Sequence, residues 1–245
     1  MIEKPVPHLT PSDAQLWGRV LEAGVTAQRL VPGSIAVGGT AAALYSGHRV
    51  SADTDHVVPA LKERFDDVLH VLSTTPGWKT ARLRRPVLIL GSLNEVEVGY
   101  RHPRRAAPIE TTAINTAYGD LVVPILSEMI GIKAFMTYDR NALRDYLDFA
   151  ALTTCTTEEA VLQALLKLDE QYAGLQTGSV RLEVSKALSD AKPYDLATTD
   201  LSRYKGLAPQ WHDWSRTQEI CRHYGVLLGQ KLTGITDATP SPEHH

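Results

Sequence analysis

Apolar residues recur along this chain with two different periods, and the change from one to the other divides it. In LTPSDAQLWGRVLEAGVTAQRL the apolar positions fall at helical spacing. Thr10 stands as N-cap, Pro11 suits the first turn, and Asp13 follows Thr10 by three residues in a capping-box-like pattern. SIAVGG predicts a short buried strand ending in glycines, and TAAALYSG predicts a compact helix that Gly47 stops. TDHVVP predicts a second strand. ALKERFDDVLHVLSTT predicts an amphipathic helix with Leu61, Phe65, Val68, Leu69 and Leu72 on one side. RPVLILGS and LNEVEVGYR predict two strands separated by a Gly-containing turn, followed by an extended segment through Pro124. After that the period becomes helical. LSEMIGIKAFM, NALRDYLDFAALTT, TTEEAVLQALLKLDEQY, VRLEVSKALSD and PQWHDWSRTQEICRHYGVLLG each predict a helix, the third capped through Thr156 or Thr157 with Glu159. The expected class is therefore α/β (α+β): a strand-containing unit over 1–124, a helical part over 125–235, and a disordered tail over 236–245.

A chain of 245 residues with 43% hydrophobic content can bury a substantial core. Its formal charge of −3 marks no general affinity for polyanions. The charge is uneven, however. Lys79, Arg82, Arg84, Arg85, Arg101, Arg104 and Arg105 lie close together with only Glu95 and Glu97 among them, as a solvated hairpin face or a phosphate-binding surface. Cys155 and Cys221 are far apart and form no framework, which predicts a reducing, cytoplasmic setting. No apolar run approaches the ~18 residues of a membrane span, and no signal-peptide core opens the chain. His212 and His223 lack zinc-ligand spacing. Trp211 and Trp214 read as the core and rim of a helix.

Against this background VGGTAAALYSGHRVSADTDHVV stands out. Asp53 and Asp55, two apart on a predicted strand, project to the same side. Like charges so placed repel unless a cation lies between them, and hard oxygen ligands of this kind suit Mg²⁺ beside substrate phosphates. A polar turn opening a strand is the plainer alternative. Three further features bear on the choice. The glycines before Thr40 stand where a strand feeds a helix, where backbone N–H groups can approach a phosphate. Glu97 interrupts the otherwise apolar VEVGY, and Lys133 interrupts the apolar helix EMIGIKAFM, where it could also simply snorkel. His48 and His56 flank the pair, with His56 alternating away from Asp55.

In this order, a glycine pair with a small residue, an acid-x-acid and a third acid on a later strand resemble the nucleotidyltransferase superfamily. GGTAAALYSGHRVSADTDHVV, VEVGYR and YGDLVVPILSEMIGIKAFMTYDRNALRDYLDFAAL are similar to segments of its AbiEii-type toxin branch, over roughly residues 33–153. The resemblance implies a nucleotidyltransferase-type mixed sheet with flanking helices. It implies that Asp53 and Asp55 hold Mg²⁺ (or Mn²⁺) bridging an NTP, and that Glu97 is the third ligand or the base for the incoming hydroxyl. Gly38, Gly39 and Thr40 would cradle phosphates, and Lys133 would neutralise triphosphate charge. Asp145 would orient Lys133 or act on the acceptor, and Asp148 would fix its helix. Arg49, Ser51 and Arg144 would sit close enough to support the acids or touch phosphate. Arg144 and Asp148, four apart, could instead form an ordinary helical ion pair.

The implied activity is Mg-dependent transfer of a nucleotide from NTP to a macromolecule, with tRNA or a protein as acceptor. The enzyme would be the toxin of a toxin–antitoxin or phage-defence pair, with an antitoxin protein as partner and no membrane involved. Two other functions fit the same residues: a transferase acting on aminoglycoside-like hydroxyls, and a catalytically silent nucleotide- or antitoxin-binding module.

Overall fold

The computed structural model describes residues 9–105 and 107–234. The expected tail over 236–245 lies outside them.

The chain opens with helix α1 (Pro11–Leu30), where the Thr10 hydroxyl caps the Asp13 N–H. Strand β1 (Ile35–Val37) runs into α2 (Gly38–Ser46), which Gly47 ends in the left-handed conformation. Then come β2 (Asp53–Val57), α3 (Leu61–Thr74) and the strands β3 (Trp78–Arg84), β4 (Leu88–Leu93) and β5 (Val96–Arg101). A separate hairpin, β6 (Thr111–Thr116) and β7 (Gly119–Pro124), precedes the helices. These are α4 (Leu126–Asp139), α5 (Leu143–Thr153), α6 (Glu158–Leu166), α7 (Leu168–Gln171), α8 (Val180–Ser189) and α9 (Trp214–Thr233).

Two expectations about local structure change. The β4–β5 turn is Asn94–Glu95, both at positive φ (48° and 69°), and Gly91 lies inside β4 rather than in the turn. The last helix begins at Trp214 behind an Asp213 N-cap, because Pro209–Trp211 forms a separate 3₁₀ turn.

The five-stranded sheet has the order β1-β2-β5-β4-β3, with β2 and β5 parallel and the other pairs antiparallel. Its back face carries Val98, Tyr100, Ile89 and Leu93. These pack on Leu61, Phe65, Val68 and Leu72 of α3 and on Ala27 near the end of α1. The front face carries Asp53, Asp55 and Glu97. A larger core extends from Trp17 through α2, α4 and α5 to Leu228. The helices after residue 124 therefore pack continuously with the strand-containing half. Gln28 ties α1 to β7 by donating to the Val122 carbonyl at 2.6 Å and accepting the Val122 N–H at 2.8 Å.

Candidate functional site

Strand β2, read DTDHV, carries two poor strand formers, Asp53 and Asp55. Pairing on both edges, with β1 and with β5, keeps it extended. Alternation buries Thr54 and His56 on the back face, where they hydrogen-bond to one another at 3.0 Å. Burial lowers the His56 pKa to about 3, so this histidine is neutral. Asp53 and Asp55 project forward together. Asp53 is in register with Glu97 across the parallel pair, and Asp55 with Gly99. All three acids line a cleft of about 530 Å³. Asp53 Oδ1 accepts from the Ser51 hydroxyl at 2.7 Å, and Asp55 Oδ1 accepts from Arg101 Nε and Nη2 at 3.3 Å.

The glycines answer to the space around these acids. Gly38 has φ +74°, and a Cβ there would lie 3.3 Å from Asp55 Oδ2. A Cβ on Gly39 would stand 2.5 Å from Arg49 Nη2, and one on Gly99 would stand 2.6 Å from Asp55 Oδ1. Both members of the glycine pair line the cleft. Thr40 does not offer its hydroxyl to it. That hydroxyl is buried and donates to the Asp53 carbonyl at 2.6 Å, bracing the strand, so it is engaged away from the cleft.

Opposite the acids, α4 and α5 carry a buried ionic network. Lys133 Nζ lies 2.7 Å from Asp148 Oδ2 and 3.2 Å from Asp145 Oδ1. Arg49 grips Asp148 with two hydrogen bonds, Nε to Oδ1 at 2.8 Å and Nη2 to Oδ2 at 3.0 Å. His48 Nε2 lies 2.8 Å from Asp148 Oδ1 and its Nδ1 lies 2.6 Å from the Ser46 hydroxyl. Burial alone would raise the Asp148 pKa. The Arg49 and Lys133 charges and the His48 hydrogen bond outweigh it and hold the carboxyl well below its usual range. Burial lowers the His48 pKa against the pull of Asp148, so His48 is neutral and donates through Nε2. Asp145 also accepts from Arg140, Nε to Oδ2 at 2.8 Å and Nη2 to Oδ1 at 2.7 Å.

Asp145 is fully buried, so contact with an acceptor is excluded and its place is against Lys133 and Arg140. The simple Arg144–Asp148 helical pair does not form. Arg144 is exposed and lines the cleft, while Asp148 is held by His48, Arg49 and Lys133.

Two contributions to the cleft lie outside the expected set. Arg140, at the end of α4, faces both the cleft and Asp145. A strap from Thr198 to Lys205 closes the cleft's far side with Asp200, Arg203, Tyr204 and Lys205. It is pinned to the segment before β2 by two backbone bonds, Val50 N–H to the Lys205 carbonyl and Ala208 N–H to the His48 carbonyl, both 2.8 Å. A sequence signal existed only in the basic spacing of Arg203 and Lys205. In total six cations (Arg49, Lys133, Arg140, Arg144, Arg203, Lys205) and four acids (Asp53, Asp55, Glu97, Asp200) line the cleft. A second cleft, about 370 Å³ and more apolar, with Val57, Ile132 and Met136 in its wall, meets the first at Gly38, Asp55, Lys133 and Arg140. Among the described residues, no three His, Cys, Asp or Glu side chains are gathered as a ready-made metal site.

The basic stretch after residue 78 splits into two parts. Lys79, Arg82 and Arg84 are exposed on β3. Arg105 is buried and lies 2.7 Å from Glu128, Arg104 pairs with Asp139, and Arg101 pairs with Asp55. The expectation of one continuous phosphate-binding surface therefore fails at Arg105, whose charge is used internally. Trp211 is buried and Trp214 half-buried against Tyr146, as core and rim. Cys221 is buried, and the Cys155 thiol lies 3.6 Å from the carbonyls of Tyr45 and Ala151.

No protein-family model matches the chain. A mycolic acid-containing lipids exporter, MmpL11 of Mycolicibacterium smegmatis, is 24% identical over 160 residues, which cover 63% of this chain and 16% of the exporter. The chain thus corresponds to about a sixth of that relative's length. No described helix is long and apolar enough to cross a membrane. Among solved structures, JHP933 from Helicobacter pylori shares the fold: TM-score 0.53 at 17% identity, over 92% of this chain and 95% of that one. An antigenic nucleotidyltransferase-like protein from Paracoccidioides brasiliensis aligns more loosely, at TM-score 0.45 and 18% identity over 75% of this chain and 95% of that one. The five-stranded mixed sheet with flanking and C-terminal helices is the fold this chain shares with JHP933.

Proposed function

We propose that the chain transfers a nucleotide from an NTP to a macromolecular hydroxyl, as an AbiEii-type transferase. The observation that carries this reading is the placement of three acids on one sheet face, Asp53 in register with Glu97 and Asp55 beside them, opposite a wall of six cations. That arrangement suits a highly charged anion approached by a hydroxyl. Arg144 and Lys205, exposed in the cleft without an ion-pair partner among the described residues, favour a polyanionic acceptor over a cationic drug.

The donor set fits a divalent ion. Asp53 and Asp55 are hard carboxylates on one side of a strand, and Mg²⁺ asks for only one or two such groups when substrate phosphates supply the rest. Asp53 and Asp55 would hold Mg²⁺ or Mn²⁺, with Glu97 as a third ligand or as the base for the acceptor hydroxyl. When bound, such an ion would supply activation of the attacking oxygen and charge neutralisation at the leaving pyrophosphate.

The chain's own groups do the remaining work. Gly38 and Gly39 leave the start of α2 open to phosphate oxygens. Ser51 orients Asp53 through its 2.7 Å bond. Arg144, Arg203 and Lys205 are exposed in the cleft and supply the charge that screens the triphosphate. Lys133 is compensated by Asp145 and Asp148, so its part is to support these groups and Arg140 rather than to act as an isolated cation. As base, Glu97, exposed beside Asp53, would take the proton of the acceptor hydroxyl. A bond forms from that oxygen to the α-phosphorus as the bond to pyrophosphate breaks.

The wider role follows from the resemblance: a cytoplasmic toxin of a toxin–antitoxin or phage-defence pair, with tRNA as acceptor and an antitoxin protein as its restraint. The test is transfer of α-labelled NTP to total RNA with Mg²⁺. Asp53→Asn should abolish labelling with an unchanged melting temperature. Full activity in that variant, or loss only through unfolding, would end the assignment.

A further inference from the structure

The edge strand β3 carries a second feature that the cleft does not use. Cross-strand partners in a sheet point to the same face, so the register fixes which side chains share a face with the acids. Asp53 pairs with Glu97, Glu97 with Ser92, and Ser92 with Lys79. Asp55 leads in the same way through Gly99 and Leu90 to Arg82, and Val57 through Arg101 and Leu88 to Arg84. Lys79, Arg82 and Arg84 therefore project on the same face as the catalytic acids. Strict alternation would not do this, since residues 79 and 82 have opposite parity. The irregularity between Thr80 and Arg82 resets the phase and brings all three cations forward. Trp78, on the other face, packs near Tyr100, their ring centroids 6.2 Å apart.

This face is open. Lys79, Arg82 and Arg84 are exposed, and none forms an ion pair with another described residue, unlike Arg85, which pairs with Asp66. No acid stands on the front of β3 or β4, where Leu88, Leu90 and Ser92 are only half-buried. The row begins three strands from β2, about 14 Å at the usual strand spacing. Along β3 the front cations Arg82 and Arg84 repeat at about 6.6 Å.

We propose that the front face of β3 and β4 is a docking track for the phosphate backbone of an RNA strand, leading its reacting end toward Asp55. The proposal rests on the transferase reading for its direction, though not for the binding itself. A repeating row of unpaired cations beside an open, acid-free surface matches a regular phosphate ladder. A lipid surface would call for exposed apolar groups to insert. On β3 the exposed large apolar residue is Leu83, which points to the back.

The experiment measures anisotropy of a labelled uridine 20-mer RNA over a range of salt concentrations, using the full chain and its Lys79→Ala/Arg82→Ala/Arg84→Ala variant. Loss of three contacts should flatten the slope of log K against log salt by about two units, at roughly 0.7 per phosphate on single strands. At low salt the affinity should fall on the order of tenfold or more. Arg222→Ala, on exposed α9 surface, should change neither. Calorimetry with NTP and Mg²⁺ should give the same affinity for the triple variant as for the wild type. An unchanged slope, or no RNA binding by the wild type, overturns the track. So does tighter binding to polyglutamate or to phosphatidylserine vesicles with the same dependence on these residues. If RNA behaves as expected and NTP with Mg²⁺ fails to bind the wild type, the track stands and the transferase reading falls.

Discussion

Lys133 Nζ sits 2.7 Å from Asp148 Oδ2, so the lysine of α4 is bound to α5 at the floor of the cleft. Asp148 is also the carboxylate that Arg49 and His48 share, and all four groups are buried. The loop before β2, α4 and α5 thus meet at one charge, and the orientation of the cleft's walls depends on it.

Asp148→Asn should therefore destabilise the fold by about 3–5 kcal/mol, the usual cost of leaving buried cations uncompensated. Arg144→Ala, at an exposed position one turn earlier, should shift stability by less than ~0.5 kcal/mol. Urea denaturation of both variants measures the contrast. Equal effects would show that Asp148 does not organise the network.

Gly39→Ala places a methyl group 2.5 Å from Arg49 Nη2 and 2.8 Å from the Ser51 hydroxyl. That same Nη2, with Nε, is held by Asp148, so Arg49 has little freedom to yield. The expected result is a loss of about 1–3 kcal/mol together with a fall in nucleotide transfer. Wild-type stability in thermal melts would mean that Arg49 moves aside at no cost.

Arg203→Ala/Lys205→Ala tests the strap. Both side chains are exposed in the cleft, so the melting temperature should stay near wild type. If they screen the triphosphate in ground and transition states alike, KM for NTP should rise about tenfold with little change in kcat. A fall in kcat with KM unchanged would move their action to the transition state.

Stability should decline as the solution is acidified below about pH 6.5. The folded pKa values of His48 and His56 both lie below the 6.5 of an exposed histidine, His56 at about 3. The unfolded chain therefore takes up protons first as pH falls. His56 should cost about 1.4 kcal/mol per pH unit down to about pH 3, and His48 should add to the decline below 6.5, with no such dependence above it. His56→Phe should remove one of the two contributions. Denaturation midpoints that stay level from pH 7 to pH 5 would contradict the buried, neutral assignment.

Much of the site was legible locally. The carboxylate pair of β2, the glycine pair and the capped start of α1 each depend on residues a few positions apart, where strand alternation and cap geometry act directly. Strand β3 was not legible. As an exposed edge strand it carries polar side chains on both faces, and its bulge breaks the alternation that would mark it. Thr40 looked like a phosphate ligand because its partner, the Asp53 carbonyl, lies 13 residues away.

What the sequence by itself determined is the set of chemical groups and their local direction: two acids on one side of a strand, glycines at a helix start, and a lysine and two acids on later helices. The tertiary structure decided which charges are spent and which remain free. Arg105 is used on Glu128, Lys133 on Asp145 and Asp148, and Arg203 lies 4.0 Å from Asp200, while Arg144 and Lys205 face the cleft. The reason is physical. Burying a charge demands a partner wherever the chain can bring one, and that partner is chosen by strand register and helix packing between residues as distant as Arg49 and Asp148.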